Sequence, residues 1–334
     1  MTDRLQGAYG KITKTDNRAD KKFEKLVHVV QEYCALKYLE DCHYIVHPQG
    51  VHYETKTLSM DVYDMNLRTW INHYNCCLDC VNHIIYCILC GLIEIQDRGL
   101  SHSDIKPGNI LLKLEPLTVV IADLGFCSIA KYSKQQRTAP NFREPQVCND
   151  QKHDMYSFGL LFMEMVYNIK PQVYTNYQTI INVIDKKVKA CHQDLCKRLV
   201  NENRDQRPLA REVLQLLYNK TLKHYKPFKH DFNQYKDDYH IYKPIKKYTK
   251  ELKINRGLKG YEALLVYLHH HKIHHKMVRY YICALLIILS SVFSQKTPVL
   301  NDMTNVCQIK NVYKIEHILT KLTNNSLFLK CLFT

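Results

Sequence analysis

The sequence has no internal repeat. The uncharged stretch from Tyr280 to Phe293 is fourteen residues against the roughly 20 a membrane helix needs. The missing repeat excludes a solenoid, and the shortness of that stretch disfavours a membrane span there. The opening residues, MTDRLQGAYG, lack an apolar stretch behind a basic start, so no secretory leader is expected and an intracellular, reducing compartment is. The fourteen cysteines follow no regular framework, which points to free thiols rather than a disulfide scaffold. Cys76, Cys80, Cys87 and Cys90 share one helical face within an apolar stretch, the pattern of a buried core. Metal or redox chemistry at the CxxC of Cys77 and Cys80 is the alternative.

With 334 residues and 46% hydrophobic content, the chain can bury the core of one large domain or two ordinary ones. Its 47 Lys and Arg against 32 Asp and Glu leave +15, a balance that favours acidic partners such as phosphate, nucleic acid or an anionic surface. The charge is uneven: residues 219 to 279 carry fifteen Lys and Arg against five Asp and Glu, so +10 lies there.

Along the chain, GAYGKI at residues 7 to 12 reads as a glycine-containing hairpin, and a helix is predicted from about Val29 to Leu39. A second, apolar helix between residues 72 and 96 ends at Asp97-Arg98-Gly99. Leu117 to Ala122 is a β-branched run that reads as a buried strand ending at Asp123. Helical patterns dominate after residue 154. The segment from residue 223 reads as a separate, basic helical extension.

The string His102-Ser103-Asp104-Ile105-Lys106-Pro107-Gly108-Asn109 places a Lys two and an Asn five residues after an Asp. Fourteen residues beyond the Asn, Asp123-Leu124-Gly125 supplies a second carboxylate. Phosphoryl transfer asks for little more than this: a carboxylate to orient a hydroxyl, and oxygen ligands plus cations around the phosphates. The spacing resembles the HRDxKxxN and DFG motifs of the protein kinase superfamily, with Lys106 in the serine/threonine pattern. The resemblance implies that Asp104 accepts or orients the substrate proton, that Lys106 contacts the transferring phosphate, and that Asn109 and Asp123 hold Mg²⁺. Arg137 to Gln146 resembles the APE segment, Asp154 the carboxylate bracing the catalytic loop, and Arg207 the arginine that pairs with the Glu of APE.

Departures from the pattern carry their own expectations. Leu124 replaces the Phe of DFG. Ser103 replaces the Arg that commonly receives an activation-segment phosphate, which implies control without that switch. The APE glutamate falls on Gln146, so Arg207 would keep only a neutral hydrogen bond unless Glu144 takes that place.

In the small lobe, Gly7 and Gly10 resemble the second half of the glycine-rich loop, with Leu5 at its first glycine position. Glu32 resembles the helical glutamate. Lys25 resembles the lysine that grips the α- and β-phosphates, with Lys21 and Lys22 as alternatives. Met60 resembles the gatekeeper, and the backbone from Asp61 to Tyr63 resembles the hinge that holds the purine. The resemblance thus implies an α+β, two-lobed kinase fold: a reduced N-lobe over residues 1–63, a mostly helical C-lobe over 64–222, and a helical extension over 223–334. It implies ATP bound between the lobes, Mg²⁺ and protein substrates, with a pseudokinase scaffold as the rival function. An acidic or nucleic-acid partner is a further expectation for the basic extension, and a membrane is not. The shortened lobe, the eroded motifs and the Lys, Asn, Tyr and Ile bias resemble kinases of large DNA viruses. In the tail, the histidines of residues 269–275 read as a solvated basic face, with a transition-metal site as the alternative.

Overall fold

The chain folds into two units in the computed structural model. It describes residues 4–7, 10–73, 77–129, 139–145, 150–226, 242–251, 257–274, 277–293 and 312–334. The first unit gathers residues 1–41, 47–62 and 226–334, and the second residues 42–46 and 63–225.

The first unit holds an antiparallel sheet in the order β1-β2-β3-β5-β4, built from β1 (Arg4–Gly7), β2 (Gly10–Lys14), β3 (Ala19–Phe23), β4 (Pro48–His52) and β5 (Thr57–Met60). Gly7 stands directly across from Gly10 in the first hairpin. Along β3 the two-residue period buries Ala19, Lys21 and Phe23 and turns Lys22 outward. Helix α1 (Leu26–Tyr38) follows, starting three residues earlier than its pattern predicts.

The sequence reading sets residues 223–334 apart as an extension. In the structure, residues 226–334 instead belong to the same compact unit as α1 and the sheet. Their described helices are α8 (Tyr242–Glu251), α9 (Gly257–His270), α10 (Val278–Phe293), α11 (Val312–Thr323) and α12 (Ser326–Phe333). The physical reason is the apolar content of α10, almost every residue of which is buried. Such a helix must be covered on all sides, and it packs on α1, α9 and α11.

The second unit is mostly helical. After β6 (Met65–Asn66) and α2 (Leu67–His73), its central helix α3 (Leu78–Asp97) packs on α7 (Ala210–Tyr218) and β9 (Leu117–Ile121). By length and composition α3 could cross a membrane, yet most of it is buried as a core helix. Gly91 allows its close approach to β9, since a Cβ there would meet the Ile121 side chain at 2.8 Å. Gly99, in the left-handed region at φ +73°, stops the helix, and its N–H caps the Gln96 carbonyl at 3.0 Å. Short ladders join β7 (Leu100–Ser101) to β10 (Ser128–Ile129), and β8 (Ile110–Leu114) to β6 and β9. Helices α4 (Gln151–Tyr167), α5 (Tyr177–Lys187) and α6 (Ala190–Leu199) complete the unit. Asp150 caps α4 by accepting the N–H groups of Lys152 and His153 at 2.9 and 3.0 Å.

The predicted thiol core is half present. Cys87 and Cys90 are buried, whereas Cys77 and Cys80 sit at the more exposed N-terminus of α3, where charged neighbours and solvent replace core packing. Cys76 lies outside the described residues.

Candidate active site

The loop between β7 and β8 is held by a buried carboxylate from α4. Asp154 accepts the backbone N–H groups of His102 and Ser103, both at 2.7 Å. Burial raises its carboxyl to about 7, against the opposing pull of these two bonds. Ser103 is held in the left-handed region at φ +67°, and Asp123 at φ +63°. Such backbone is costly for residues other than glycine and persists where surrounding contacts over-determine it.

His102 is fully buried, and burial lowers its basicity. Its Nε2 lies 3.0 Å from the Ala122 carbonyl, which can only accept, so the ring proton is on Nε2. Nδ1 then accepts the Asp104 N–H at 3.2 Å. The neutral imidazole thereby ties the strand before Asp123 to the loop carrying Asp104.

Asp104 is itself buried, and its carboxylate is oriented from three sides. Oδ2 accepts from Lys106 Nζ at 2.5 Å and from Asn109 Nδ2 at 2.9 Å, and Oδ1 accepts the Ala139 N–H at 3.0 Å. An anionic carboxylate fixed in this way can accept a hydroxyl proton without first reorienting. Asn109 Nδ2 also donates to the Asp104 carbonyl at 2.9 Å, which turns Oδ1 to the other side of the amide. The Ala122 N–H donates to the Asn109 carbonyl at 2.8 Å, so Asn109 and Asp123 stand at the same end of the β8/β9 ladder. One amide oxygen and one carboxylate form a hard oxygen donor set that fits Mg²⁺, an ion that retains water and bridges to phosphates. These are the residues that would hold it.

In the first unit, Lys21 Nζ donates to both oxygens of Glu32, at 2.9 and 2.7 Å, and both side chains are almost wholly buried. This corrects the assignment of Lys25 as the partner of Glu32. Lys25 is exposed at the N-cap of α1, outside the sheet, whereas the inward register of β3 points Lys21 at the helix. Lys22, the other alternative, is exposed. Met60 is buried at the end of β5. The Asp61 N–H is committed to the His47 carbonyl at 3.1 Å, which leaves the purine-edge role expected of this stretch to its other backbone groups. Tyr63 is buried, with Lys113 Nζ over its ring.

Sequence reasoning placed the APE glutamate on Gln146, which lies outside the described residues. The charged partner of Arg207 is Glu144, at 2.7 Å. Glu144 also meets His153 Nδ1 at 2.9 Å. Burial alone would raise its carboxyl, but the hydrogen bonds and charges of His153 and Arg207 outweigh that and hold it at about 2. The only signal in the sequence was a glutamate standing two residues before the expected position. The Ala139 amide left no signal, because any residue but proline supplies one.

A model of the protein kinase domain matches residues 6–219. The chain belongs to the protein kinase family. Among curated kinases it is 36% identical over 104 residues to a probable serine/threonine-protein kinase of Encephalitozoon cuniculi, covering 30% of this chain and 20% of that one. It is 32% identical over 158 residues to serine/threonine-protein kinase par-4 of Caenorhabditis briggsae, covering 40% and 24%, respectively. Against serine/threonine-protein kinase shk1/pak1 of Schizosaccharomyces pombe it is 26% identical over 143 residues, covering 37% and 22%. The match thus spans about a fifth to a quarter of the length of these kinases.

Proposed function

We propose that this kinase is an active serine/threonine protein kinase, transferring the γ-phosphoryl group of ATP to a protein hydroxyl with Mg²⁺. The observation that carries the reading is the buried Lys21–Glu32 pair. Burying two charges in a small lobe costs several kcal/mol unless each finds its partner, and a lysine held this way is preorganised for phosphate. In a scaffold the same pair would serve only to fix α1 against the sheet. The Glu144–Arg207 pair adds support, since it anchors the segment from which Ala139 reaches Asp104.

A protein rather than a small-molecule substrate is supported by a surface groove of about 330 Å³ in the second unit, beside Lys106 and lined also by Arg68, Ala139, Pro140 and Phe142. The +10 charge of residues 219 to 279 supports an acidic partner for that stretch. The eroded motifs and the Lys, Asn, Tyr and Ile bias support an origin among kinases of large DNA viruses. Leu5, at the first glycine position of the loop, is the feature that favours the rival scaffold reading.

The test is transfer of radiolabelled phosphate from ATP to a basic and an acidic generic protein, with wild type beside Asp104→Asn. Transfer is expected to require Mg²⁺ and to fall about 10³-fold in the variant, the range of a lost general base. Equal background from both proteins would leave the scaffold.

A further inference from the structure

Helix α1 cannot account for its own stability. It has thirteen residues, three of them β-branched valines in the first half, no side-chain bond at its N-cap and no acidic residue in its first turn. A helix of that length and composition is marginal in water, so its position is set by what packs on it. The sheet strands β3, β4 and β5 cover part of it, and α10, α11 and α12 cover the rest. Those three helices lie beyond residue 219, where the match to the kinase domain ends.

The polar contacts across this second interface are specific. Tyr33 Oη donates to Asn324 Oδ1, and Tyr53 Oη is 2.7 Å from Thr323 Oγ1 in a buried setting. The two tyrosine rings meet edge to face at 6.4 Å, and Tyr38 stacks on Phe333 at 4.5 Å. Adjacent residues at the end of α11 therefore grip one tyrosine from the helix and one from just beyond β4. Tyr33 is also the immediate neighbour of Glu32. Successive residues on a helix project about 100° apart, so Tyr33 is held by the tail while Glu32 is held by Lys21. Turning α1 to withdraw Glu32 would break the Tyr33–Asn324 bond and unstack Tyr38.

We propose that the C-terminal helices of this chain are a built-in clamp on α1, and that Asn324, Thr323 and Phe333 are positioning residues for phosphoryl transfer, acting through Tyr33, Tyr53 and Tyr38 on the Lys21–Glu32 pair. The proposal rests on the kinase activity proposed above. It assigns to residues of the same chain, outside the matched kinase domain, the task of holding Glu32 in register.

The experiment uses the full chain and measures initial rates of phosphate transfer against ATP concentration, together with the melting temperature. Asn324→Leu, which cannot accept from Tyr33, is expected to lower kcat about 10-fold, within the usual range of coupling between sites. Asn324→Asp keeps an acceptor and is expected to stay within about twofold of wild type. Tyr33→Phe, which removes only the hydroxyl, tests the same bond from the other side should Asn324→Leu not fold. In a Lys21→Met background, Asn324→Leu is expected to cost nothing further, because the pair it serves is already gone. If Tyr33→Phe and Asn324→Leu both match an active wild type, the clamp is overturned and the kinase reading stands. Equal loss in Asn324→Leu and Asn324→Asp would reduce the contact to packing and overturn it as well. A wild type without transfer would remove both readings together.

Discussion

The carboxylate of Glu144 and the guanidinium of Arg207 meet at 2.7 Å with neither side chain exposed to solvent. Around them, the Arg207 guanidinium lies 5.2 Å from the Tyr156 ring centre, and Arg207 Nε donates to the Asn201 carbonyl at 2.8 Å. The pair ties the segment before α4 to the loop before α7, and a charge is left without compensation if either partner is removed.

Stability should therefore depend on acid through Glu144. Its carboxyl is held at about 2, below its ordinary 4.5. The contribution is complete above about pH 4.5 and is lost as pH falls toward about 2, amounting to about 3 kcal/mol. Urea unfolding of wild type and Glu144→Gln should show a gap that is widest near neutrality and narrows below pH 4.5. A gap independent of pH between 6 and 3.5, or one that widens in acid, would mean that the ion pair contributes nothing.

Replacing lysines one at a time separates the three candidates in the first unit. Lys21→Met is expected to lower transfer about 10³-fold, the scale of a lost positioning group. Lys22→Met and Lys25→Met, both at exposed positions, should stay within about twofold of wild type, as surface substitutions usually do. Thermal unfolding must accompany the assay, since Lys21→Met also leaves Glu32 buried without its charged partner. A low rate in Lys25→Met with normal transfer in Lys21→Met would invert the assignment.

Control by phosphorylation of the activation segment should be weak. Ser103 is fully buried, and its hydroxyl is 3.2 Å from that of Ser101, so it offers no cation and does not face outward. Enzyme treated with phosphatase should keep its activity, and Ser133→Ala, at a position outside the described residues, should behave as wild type. A loss greater than about tenfold, restored by rephosphorylation, would show that another cation receives the phosphate.

The catalytic loop was legible in the sequence because its chemistry is local. Asp104, Lys106 and Asn109 lie within six residues, and hydrogen bonds between them reproduce that spacing. The lysine of the first unit was less legible because the count back from Glu32 leaves three candidates, and only the strand register of β3 separates them. Glu144 was weighed in the sequence but could not be chosen over Gln146, since which of two nearby residues reaches Arg207 depends on a turn between distant elements. The packing of the tail on α1 was invisible. The apolar pattern of α10 foretells that it is covered, but not by what.

The order of synthesis gives that packing a consequence in time. Residues 63–225 leave the ribosome as a continuous stretch and can complete their unit while the rest is still being made. Helix α1 is made before that stretch, yet its partner Phe333 is made some 300 residues after it. At about 5–20 residues per second, the nascent chain carries an α1 without its tail-side cover for roughly 15 to 60 s. Over that interval its valines and tyrosines are open to chaperones, and ribosome-bound chains stopped short of Asn324 should present α1 to proteases that the finished protein resists.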